Sequence, residues 1–253
     1  MLRKPSASGR GEARTLPCRS AGFTYVPVSF YEAGLWVRSI ESEAERVAAY
    51  RLRHEVFCTR LKWIPSHPSG LERDRYDAFA TSVGLFTKTG RLVGLARFLP
   101  PDRPFMLEAE FAVLMDPGYR IRKEADTVEL SRLAVASWRR PEDVSPRQLS
   151  RILYKGIYQW ALANGVRYIY VVVAKRYWRS LEISGIPCKP IGPVKRLPPA
   201  CVESVAALLD MEAFHRENRT KRSEFLRWMA TVQSDHSPWP KPRHAPLWKP
   251  RAS

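Results

Sequence analysis

Charged residues occur in this sequence where a packed domain normally places apolar ones. Arg97 lies within 92–99, a predicted strand in which alternation puts it on a face with three apolar side chains. A charge on such a face must be paired or take part in chemistry, because burying it alone is costly. Glu129 and Arg132 lie inside a second predicted strand, 127–136. These three residues are the first candidates for a functional site.

The spacing within this set leaves two arrangements open. Residues three apart point to opposite faces of a regular strand, so Glu129 and Arg132 either serve both faces or a bulge re-aims one of them. Upstream, Asp74 and Asp77 are the carboxylates expected to neutralise Arg97 or Arg53. A structural ion-pair network without chemistry is the alternative for any single member.

The elements that would position these residues follow from periodicity and capping signals. A capping box at 42–45 starts a predicted helix through Leu61 that carries Arg53 on its apolar face. Two strands joined by a turn at 88–90, and then the strand 127–136, complete the first half. The further predictions are a helix from Ser145-Pro146 to Asn164, a strand at 168–173, a short helix at 176–184, an apolar segment at 202–211 that fits strand or helix, and a helical region at 212–229. This order predicts a mixed α/β layered domain.

Composition restricts the class of protein. The chain has 253 residues, with 42 Lys and Arg against 25 Asp and Glu, a formal charge of +17. Its four cysteines are scattered, which favours a reducing compartment and suggests neither a disulfide framework nor a metal site. No apolar run reaches the roughly 18 residues of a membrane span. We expect a flexible basic tail at 1–24, a domain at 25–232 and a proline-rich basic tail at 233–253.

The order of the unusual residues resembles that in the acyl-homoserine-lactone (autoinducer) synthases. The matching positions, close to the family spacing, are Arg53, Phe57, Trp63, Asp74, Asp77, Arg97, Glu129 and Arg132. The run Arg97-Phe98-Leu99-Pro100-Pro101, which leads into Pro104-Phe105-Met106-Leu107, is similar to a family segment, and Glu129-Leu130-Ser131-Arg132 resembles its strand motif. The resemblance covers about residues 45–200.

The resemblance implies a fold, a reaction and its substrates. The fold would be acetyltransferase-like (GNAT-type), a three-layer α-β-α arrangement with a mixed, splayed central sheet. The enzyme would be a cytoplasmic acyltransferase of quorum sensing, with no tightly bound cofactor and no membrane or specific nucleic-acid partner. It would move an acyl chain from acyl carrier protein to the amine of a small molecule, S-adenosylmethionine, and lactone closure would then expel methylthioadenosine.

The resemblance also implies roles for individual residues. Glu129 would be the base that takes a proton from the amine, and Arg132 would orient the acyl-chain end of the site or the helix behind it. Backbone N–H groups of 133–136 could stabilise the oxyanion. The remaining matched residues divide into a sulfonium-substrate pocket and an ion-pair cluster: Arg53, Phe57 and Trp63 for the first, and Asp74, Asp77 and Arg97 for the second.

A basic loop is the candidate contact for the acyl donor. It precedes a helix N-terminus, which favours a phosphate group, and the phosphopantetheine arm would fit there. The residues concerned are Arg139, Arg140, Arg147 and, in the helix, Arg151. The sequence has no glycine-rich pyrophosphate cradle of the kind found in coenzyme A acetyltransferases. Together with the basic charge, this favours an acidic carrier protein as the donor.

Two other functions stay open at this level. Residues 67–74 also resemble the N-acyl amino acid synthases and exosortase-associated acyltransferases, which acylate an amino acid. The net charge and a basic run near Lys221 leave a non-catalytic nucleic-acid-binding protein as a remote alternative. Within the leading interpretation, 171–173 lack the Ser or Thr that some relatives place near a 3-oxo group, which favours an unsubstituted acyl chain.

Overall fold

A nine-stranded mixed sheet organises the protein, whose computed structural model describes residues 23–136, 138 and 141–232. The predicted tails 1–24 and 233–253 lie almost wholly outside the described residues. In chain order the strands are β1 (Ser29–Glu32), β2 (Leu35–Ser39), β3 (Thr81–Phe86), β4 (Leu92–Leu99), β5 (Thr127–Val135), β6 (Tyr168–Ala174), β7 (Cys188–Pro190), β8 (Lys195–Leu197) and β9 (Val202–Asp210).

The order of the strands places β5 and β6 at the centre of the sheet. It runs β1-β2-β3-β4-β5-β6-β9-β7, with β8 also paired to β9, and every pair is antiparallel except β5 with β6. The parallel pairing extends only from Thr127↔Tyr168 to Leu130↔Val171. Beyond it, β5 stays paired with β4 and β6 with β9, so the two central strands part. The sheet is therefore splayed at its middle.

Helices cover both faces of the sheet and complete three layers. They are α1 (Glu43–Arg53), α2 (Met106–Ala109), α3 (Pro146–Ala163), α4 (Lys175–Ile183), α5 (Met211–Lys221) and α6 (Ser223–Ala230). Helix α3 packs on β2, β3 and β4 through the larger apolar core, to which residues of α4, α5 and α6 also belong. Helix α1 packs on β4 and β5 around a second core. No helix in the described part of the chain combines the length and hydropathy that crossing a bilayer requires.

Local sequence signals explain the helix boundaries. Ser42 and Glu45 form the predicted capping box of α1, and Ser145 caps α3. The predicted first helix does not stay regular, since α1 ends and a π-helix continues over His54–Arg60. The ambiguous segment 202–211 is almost entirely the strand β9, and the helical region that follows is two helices, α5 and α6, which meet at a break.

The N-terminal hairpin β1–β2 was not predicted from the sequence. Its turn, Ala33-Gly34, has φ of 47° and 75°, the left-handed values that a tight hairpin turn needs. Glycine reaches these values freely and alanine does not, so Ala-Gly is a weak turn signal. The short strands β7 and β8 are also missed, because three residues carry too little periodicity.

Candidate active site

A bulge in β5 decides where Arg132 points. Leu95 pairs with Ala134 and Arg97 with Ser131, so two residues of β5, Arg132 among them, lie opposite a single residue of β4. Arg132 has φ of 51°, a conformation that L-residues rarely adopt. Its side chain reaches Asp74, which also binds Arg97, on the side of the sheet where Arg97 meets Ser131. Of the two arrangements left open by the sequence, the structure has the bulge.

Three arginines and three carboxylates meet on this side of the sheet. We call them the ion cluster: Arg53, Arg97, Arg132, Glu72, Asp74 and Asp77. Arg97 Nη1 lies 2.6 Å from both Asp74 Oδ1 and Asp77 Oδ1. Arg132 Nη2 lies 2.9 Å from Asp74 Oδ2. Arg53 Nη1 lies 2.6 Å from Asp77 Oδ1. The cluster contains equal numbers of both charges, so it is buried without a net charge.

Glu72 completes the ion cluster, although it was not among the site residues predicted from the sequence. It accepts hydrogen bonds from Arg53 Nε and from Arg132 Nη2, the latter at 2.9 Å, and its side chain is buried. It follows a loop rich in proline and glycine, where a carboxylate is usually solvated. The available signal was the crowding of three carboxylates into 72–77, more than a solvated turn requires.

The ion cluster holds its carboxylates in the ionised form. Burial opposes ionisation of Glu72, but Arg132 and Arg53 outweigh it and keep its pKa below the ordinary value. Burial likewise opposes ionisation of Asp74, and Arg97 overrides it, so that pKa is lowered too. Carboxylates that stay ionised at neutral pH are poor proton carriers, and the hydrogen bonds of Glu72 and Asp74 hold the Arg132 side chain in place.

Glu129 differs from these carboxylates because its hydrogen bonds come from backbone and not from arginine. Its Oε2 accepts from Met106 N–H at 2.5 Å and its Oε1 from Leu107 N–H at 3.1 Å. The side chain is 1% exposed. Burial outweighs these two bonds and raises the pKa of Glu129 to about 7. A carboxylate with this pKa exchanges protons near neutral pH, as a general base must.

Met106 connects Glu129 to the ion cluster. Its backbone N–H bonds the carboxylate, while its sulfur lies 3.1 Å from Arg97 Nη2 and 3.7 Å from Arg132 Nη1. The residue belongs to the family-like segment 104–107, but nothing in the sequence indicates that both its backbone and its side chain meet charged groups. Glu129 and the ion cluster therefore both contact Met106.

Two aromatic rings lie beside Arg132. Phe57 is in the π-helix, and the Arg132 Cζ atom is 5.8 Å from the centroid of its ring. The Trp63 ring centroid is 6.3 Å from that of Phe57, and Trp63 N–H donates to Phe57 O at 2.8 Å. Such rings offer π faces to a cation or to a flat heterocycle. A π-helix at this position agrees with the frequent occurrence of such segments at functional sites.

A cavity of about 660 Å³ begins at these rings and continues through the parted strands. On the ion-cluster side it is lined by Phe57, Trp63, Glu129 and Arg132. Beyond the gap, apolar and aromatic side chains of α3, α4 and β9 line it. Arg53, Asp74, Asp77 and Arg97 do not line the cavity and lie behind it, in the ion cluster. Arg132, expected to orient the acyl-chain end or the helix behind it, lines the cavity and also bonds Glu72 and Asp74.

Not all of the backbone N–H groups of 133–136 face the gap between β5 and β6. Ala136 N–H donates to Val93 O at 2.8 Å, so it belongs to the β4 ladder. Alternation then turns the N–H of Ala134 to β4 as well and that of Val135 to the gap. Val135 also lines the cavity. Among residues 134–136, the Val135 N–H is therefore the one that faces the gap.

Of the four basic residues expected to contact the acyl donor, the two that the structure describes do not line the cavity. Arg139 and Arg140 are outside the described residues. Arg147 is exposed in the first turn of α3. Arg151 places its guanidinium 5.5 Å and 5.1 Å from the rings of Phe225 and Trp228 on α6. Across the described ranges, no three His, Cys, Asp or Glu side chains form a group that could hold a metal ion.

Comparison with known proteins agrees with this geometry. The family model described as autoinducer synthase matches residues 38–219, more than half of the chain and every residue of the ion cluster. The chain belongs to the autoinducer synthase family. Members of this family are acyltransferases that make quorum-sensing signals, so the chain is an enzyme of autoinducer synthesis.

The alignments of this autoinducer synthase with individual relatives cover much of each relative's length. An acyl-homoserine-lactone synthase of Agrobacterium fabrum is 37% identical over 146 residues, which are 56% of this chain and 69% of the relative. One of Aeromonas salmonicida is 28% identical over 175 residues, 69% of this chain and 82% of the relative.

Solved structures show the same fold. TofI, solved in a ternary complex with an inhibitor and MTA, is 25% identical and aligns over 73% of this chain and 91% of its own, with a TM-score of 0.57. The acyl-homoserine-lactone synthase LasI, at 20% identity, aligns over 74% and 91% with a TM-score of 0.61. The expected acetyltransferase-like α/β fold with a mixed, splayed sheet is confirmed.

Proposed function

We propose that this autoinducer synthase moves an acyl chain from an acyl carrier protein thioester to the amine of S-adenosylmethionine, and then closes the ring of an N-acyl-homoserine lactone. The observation that carries the proposal is the single cavity with two unlike ends. One end has aromatic rings, Glu129 and a guanidinium, and the other is apolar. A polar amine substrate and an acyl chain can therefore meet at the parted strands.

The acyl transfer would use Glu129 as base and Val135 N–H as oxyanion donor. The ammonium group of the substrate gives one proton to the ionised Glu129, directly or through water, and the free amine attacks the thioester carbonyl carbon. The carbonyl oxygen becomes an oxyanion beside the Val135 N–H. When the tetrahedral intermediate collapses, the C–S bond breaks and the thiolate leaves with a proton, so the new amide is formed.

The ring closure needs no further acid or base. The substrate carboxylate attacks the carbon attached to the sulfonium, a C–O bond forms and the C–S bond breaks. The sulfur takes the electron pair, so methylthioadenosine leaves as a neutral thioether. Phe57 and Trp63, whose rings line the cavity, would hold the sulfonium through their π faces before this step.

Charge and loop composition support a carrier protein as the donor. The chain has a formal charge of +17, and acyl carrier proteins are strongly acidic, so encounter would be steered by opposite charges. The sequence 137–147, which leads into α3, contains no glycine for a pyrophosphate cradle. BjaI, a CoA-dependent acyl-homoserine lactone synthase, shares the fold at 20% identity and a TM-score of 0.60. Both donors therefore belong in the test.

The test supplies purified protein with acyl thioesters of carrier protein or of coenzyme A, and with S-adenosylmethionine or a mixture of free amino acids. We expect acyl-homoserine lactone and methylthioadenosine in equal amounts, with the higher kcat/KM for the carrier protein. Acylated amino acids without methylthioadenosine would overturn the acceptor assignment. A higher kcat/KM with coenzyme A thioesters would overturn the donor assignment alone.

A further inference from the structure

Two tyrosines with hydrogen-bonded hydroxyl groups line the mainly apolar part of the cavity. Tyr154 on α3 and Tyr177 on α4 both line it, and their hydroxyl oxygens are hydrogen-bonded to each other. Their neighbours in the lining include Ile157, Leu181 and Ile186. Polar groups in an apolar ligand pocket are few and usually fix the orientation or identity of the ligand.

The tyrosine pair has one more proton to donate than its own bond uses. Each hydroxyl carries one proton and can accept as well as donate. The bond between Tyr154 and Tyr177 uses one of the two protons, and no other described side chain or backbone group bonds either oxygen. A buried O–H without an acceptor costs free energy, so an acceptor on a ligand would be favoured.

Both hydroxyls stay protonated at neutral pH and so remain donors. Burial raises the pKa of Tyr154, and the bond to Tyr177 lowers it by less. Burial also raises the pKa of Tyr177, as does the neighbouring Tyr154. A neutral phenol pair recognises a neutral carbonyl or hydroxyl oxygen and gives no advantage to a saturated chain.

We propose that the Tyr154–Tyr177 pair selects acyl chains that carry an oxygen function, a carbonyl or hydroxyl group, in addition to the thioester carbonyl. The inference deepens the proposed function and rests on it. It differs from the expectation of an unsubstituted chain, which rests only on the valines of β6. The cavity is also lined by α3 and α4, and the two tyrosines that could donate a hydrogen bond to the acyl chain lie on these helices.

Tyr158 provides a matched control for this pair. It lies one turn after Tyr154 on α3 and lines the same cavity, but its hydroxyl is 2.9 Å from His215 Nε2. Burial, together with Arg219, lowers the pKa of His215, which favours the neutral ring. The Tyr158 hydroxyl thus already has a hydrogen-bond partner inside the protein, which the tyrosine pair lacks beyond its own bond. Tyr158→Phe removes a hydroxyl from the cavity wall without removing the proposed donor.

The experiment measures kcat/KM for thioesters of one chain length that are saturated, 3-oxo, 3-hydroxy or hydroxylated at the far end. The wild type is expected to prefer at least one oxygenated donor by roughly fivefold, the effect of one net hydrogen bond. The position of the preferred oxygen tells which part of the chain meets the tyrosines. Tyr177→Phe and Tyr154→Phe should abolish the preference, and Tyr158→Phe should keep it.

Equal or better use of saturated donors by the wild type would overturn the inference, as would an unchanged preference in Tyr177→Phe and Tyr154→Phe. Thermal unfolding checks that each variant is folded, and the wild-type series decides the matter if neither variant folds. The proposed function fails separately, since it requires that some thioester acylates S-adenosylmethionine. If saturated thioesters give lactone and the oxygenated ones gain nothing, only the selection by tyrosines is wrong.

Discussion

Glu129 has two tasks that can be separated by substitution. Its carboxylate holds the backbone of Met106 and Leu107, and we propose that it also takes the proton of the amine. Glu129→Gln keeps the shape but cannot act as a base, so kcat/KM is expected to fall by about 100-fold or more. Thermal unfolding should still show a cooperative transition. Glu182→Gln, on the exposed face of α4, serves as the control with wild-type turnover.

The pH dependence of the same residue gives an independent check. A base must be ionised, and burial raises the pKa of Glu129 to about 7. We therefore expect kcat/KM to increase as the pH rises through about 7 and to level off above it. In Glu129→Gln this limb should be absent from the residual activity. A wild-type profile without a step in this range would remove Glu129 from the proton transfer.

Glu72 tests the ion cluster, because its loss leaves Arg53 and Arg132 with one carboxylate fewer. We expect Glu72→Gln to lower the free energy of unfolding by about 3 kcal/mol at pH 7, since a buried charge loses its partner. Denaturant unfolding measures this. Glu43→Gln is the control, because its bond to Arg46 is exposed and is worth less than about 1 kcal/mol. A Glu72→Gln effect as small as that of the control would contradict the role of the cluster.

The sign of the acid effect follows from the lowered pKa values of Glu72 and Asp74. A carboxyl group whose folded pKa is lowered stabilises the fold fully above its unfolded pKa, near 4, and less as the pH falls through the folded value. The wild type should therefore lose stability below about pH 4, and Glu72→Gln should lose less over the same interval. Unfolding curves collected from pH 7 to pH 2 compare the two.

At the scale of elements, Gly156 sets how closely α3 approaches the sheet. A Cβ atom at this position would lie 2.7 Å from Val37 Cγ1 and 3.2 Å from Val83 Cγ1. Alanine is the better helix former by about 1 kcal/mol, but the overlap costs more in a packed core. We expect Gly156→Ala to lower the free energy of unfolding by about 1–2 kcal/mol.

A double-mutant cycle separates this contact from helix propensity. Val37→Ala removes the methyl group that the new Cβ would meet, so Gly156→Ala should cost less in that background. Denaturant unfolding of the four proteins gives the coupling. If Gly156→Ala is as stable as the wild type, or costs the same in both backgrounds, the close approach of α3 does not limit this position.

The elements also show what the sequence can predict. Strands β4, β5 and β6 and helix α3 have strong periodicity and caps, and they occur where expected. The segment 202–211 is apolar throughout, so its period does not decide between strand and helix, and the ladder with β6 makes it a strand. The bulge that turns Arg132 arises from pairing with β4, which the sequence of β5 alone does not contain. Contacts between distant segments explain these differences.

The residues of the candidate site could be predicted from the sequence better than their arrangement could. The Arg and Asp residues were recognisable because charges in strands and helix faces need partners. Glu72 and Met106 act through contacts with residues far along the chain, and so do not stand out locally. Tyr154 and Tyr177 do not stand out in the sequence either, because aromatic residues on helix faces usually belong to the core.

At the scale of the whole molecule, the net charge predicts how the donor arrives. With a formal charge of +17, the enzyme should meet an acidic carrier protein faster at low ionic strength. We expect kcat/KM for the carrier thioester to fall several-fold between 50 mM and 300 mM salt. An uncharged, truncated thioester is the control and should change little. A carrier thioester as insensitive to salt as the truncated one would argue against electrostatic steering.

The gap between β5 and β6 joins the two substrate regions that we propose in one cavity, which is lined by Glu129 and by residues of α3 and α4. A single covalent ligand can therefore occupy both regions at once. A compound that links an adenosyl thioether to an acyl chain through a non-hydrolysable bond would bind as a bisubstrate inhibitor, because after one half is bound the second half meets its region at high effective concentration. The same opening that permits the reaction thus makes the enzyme susceptible to this class of inhibitor.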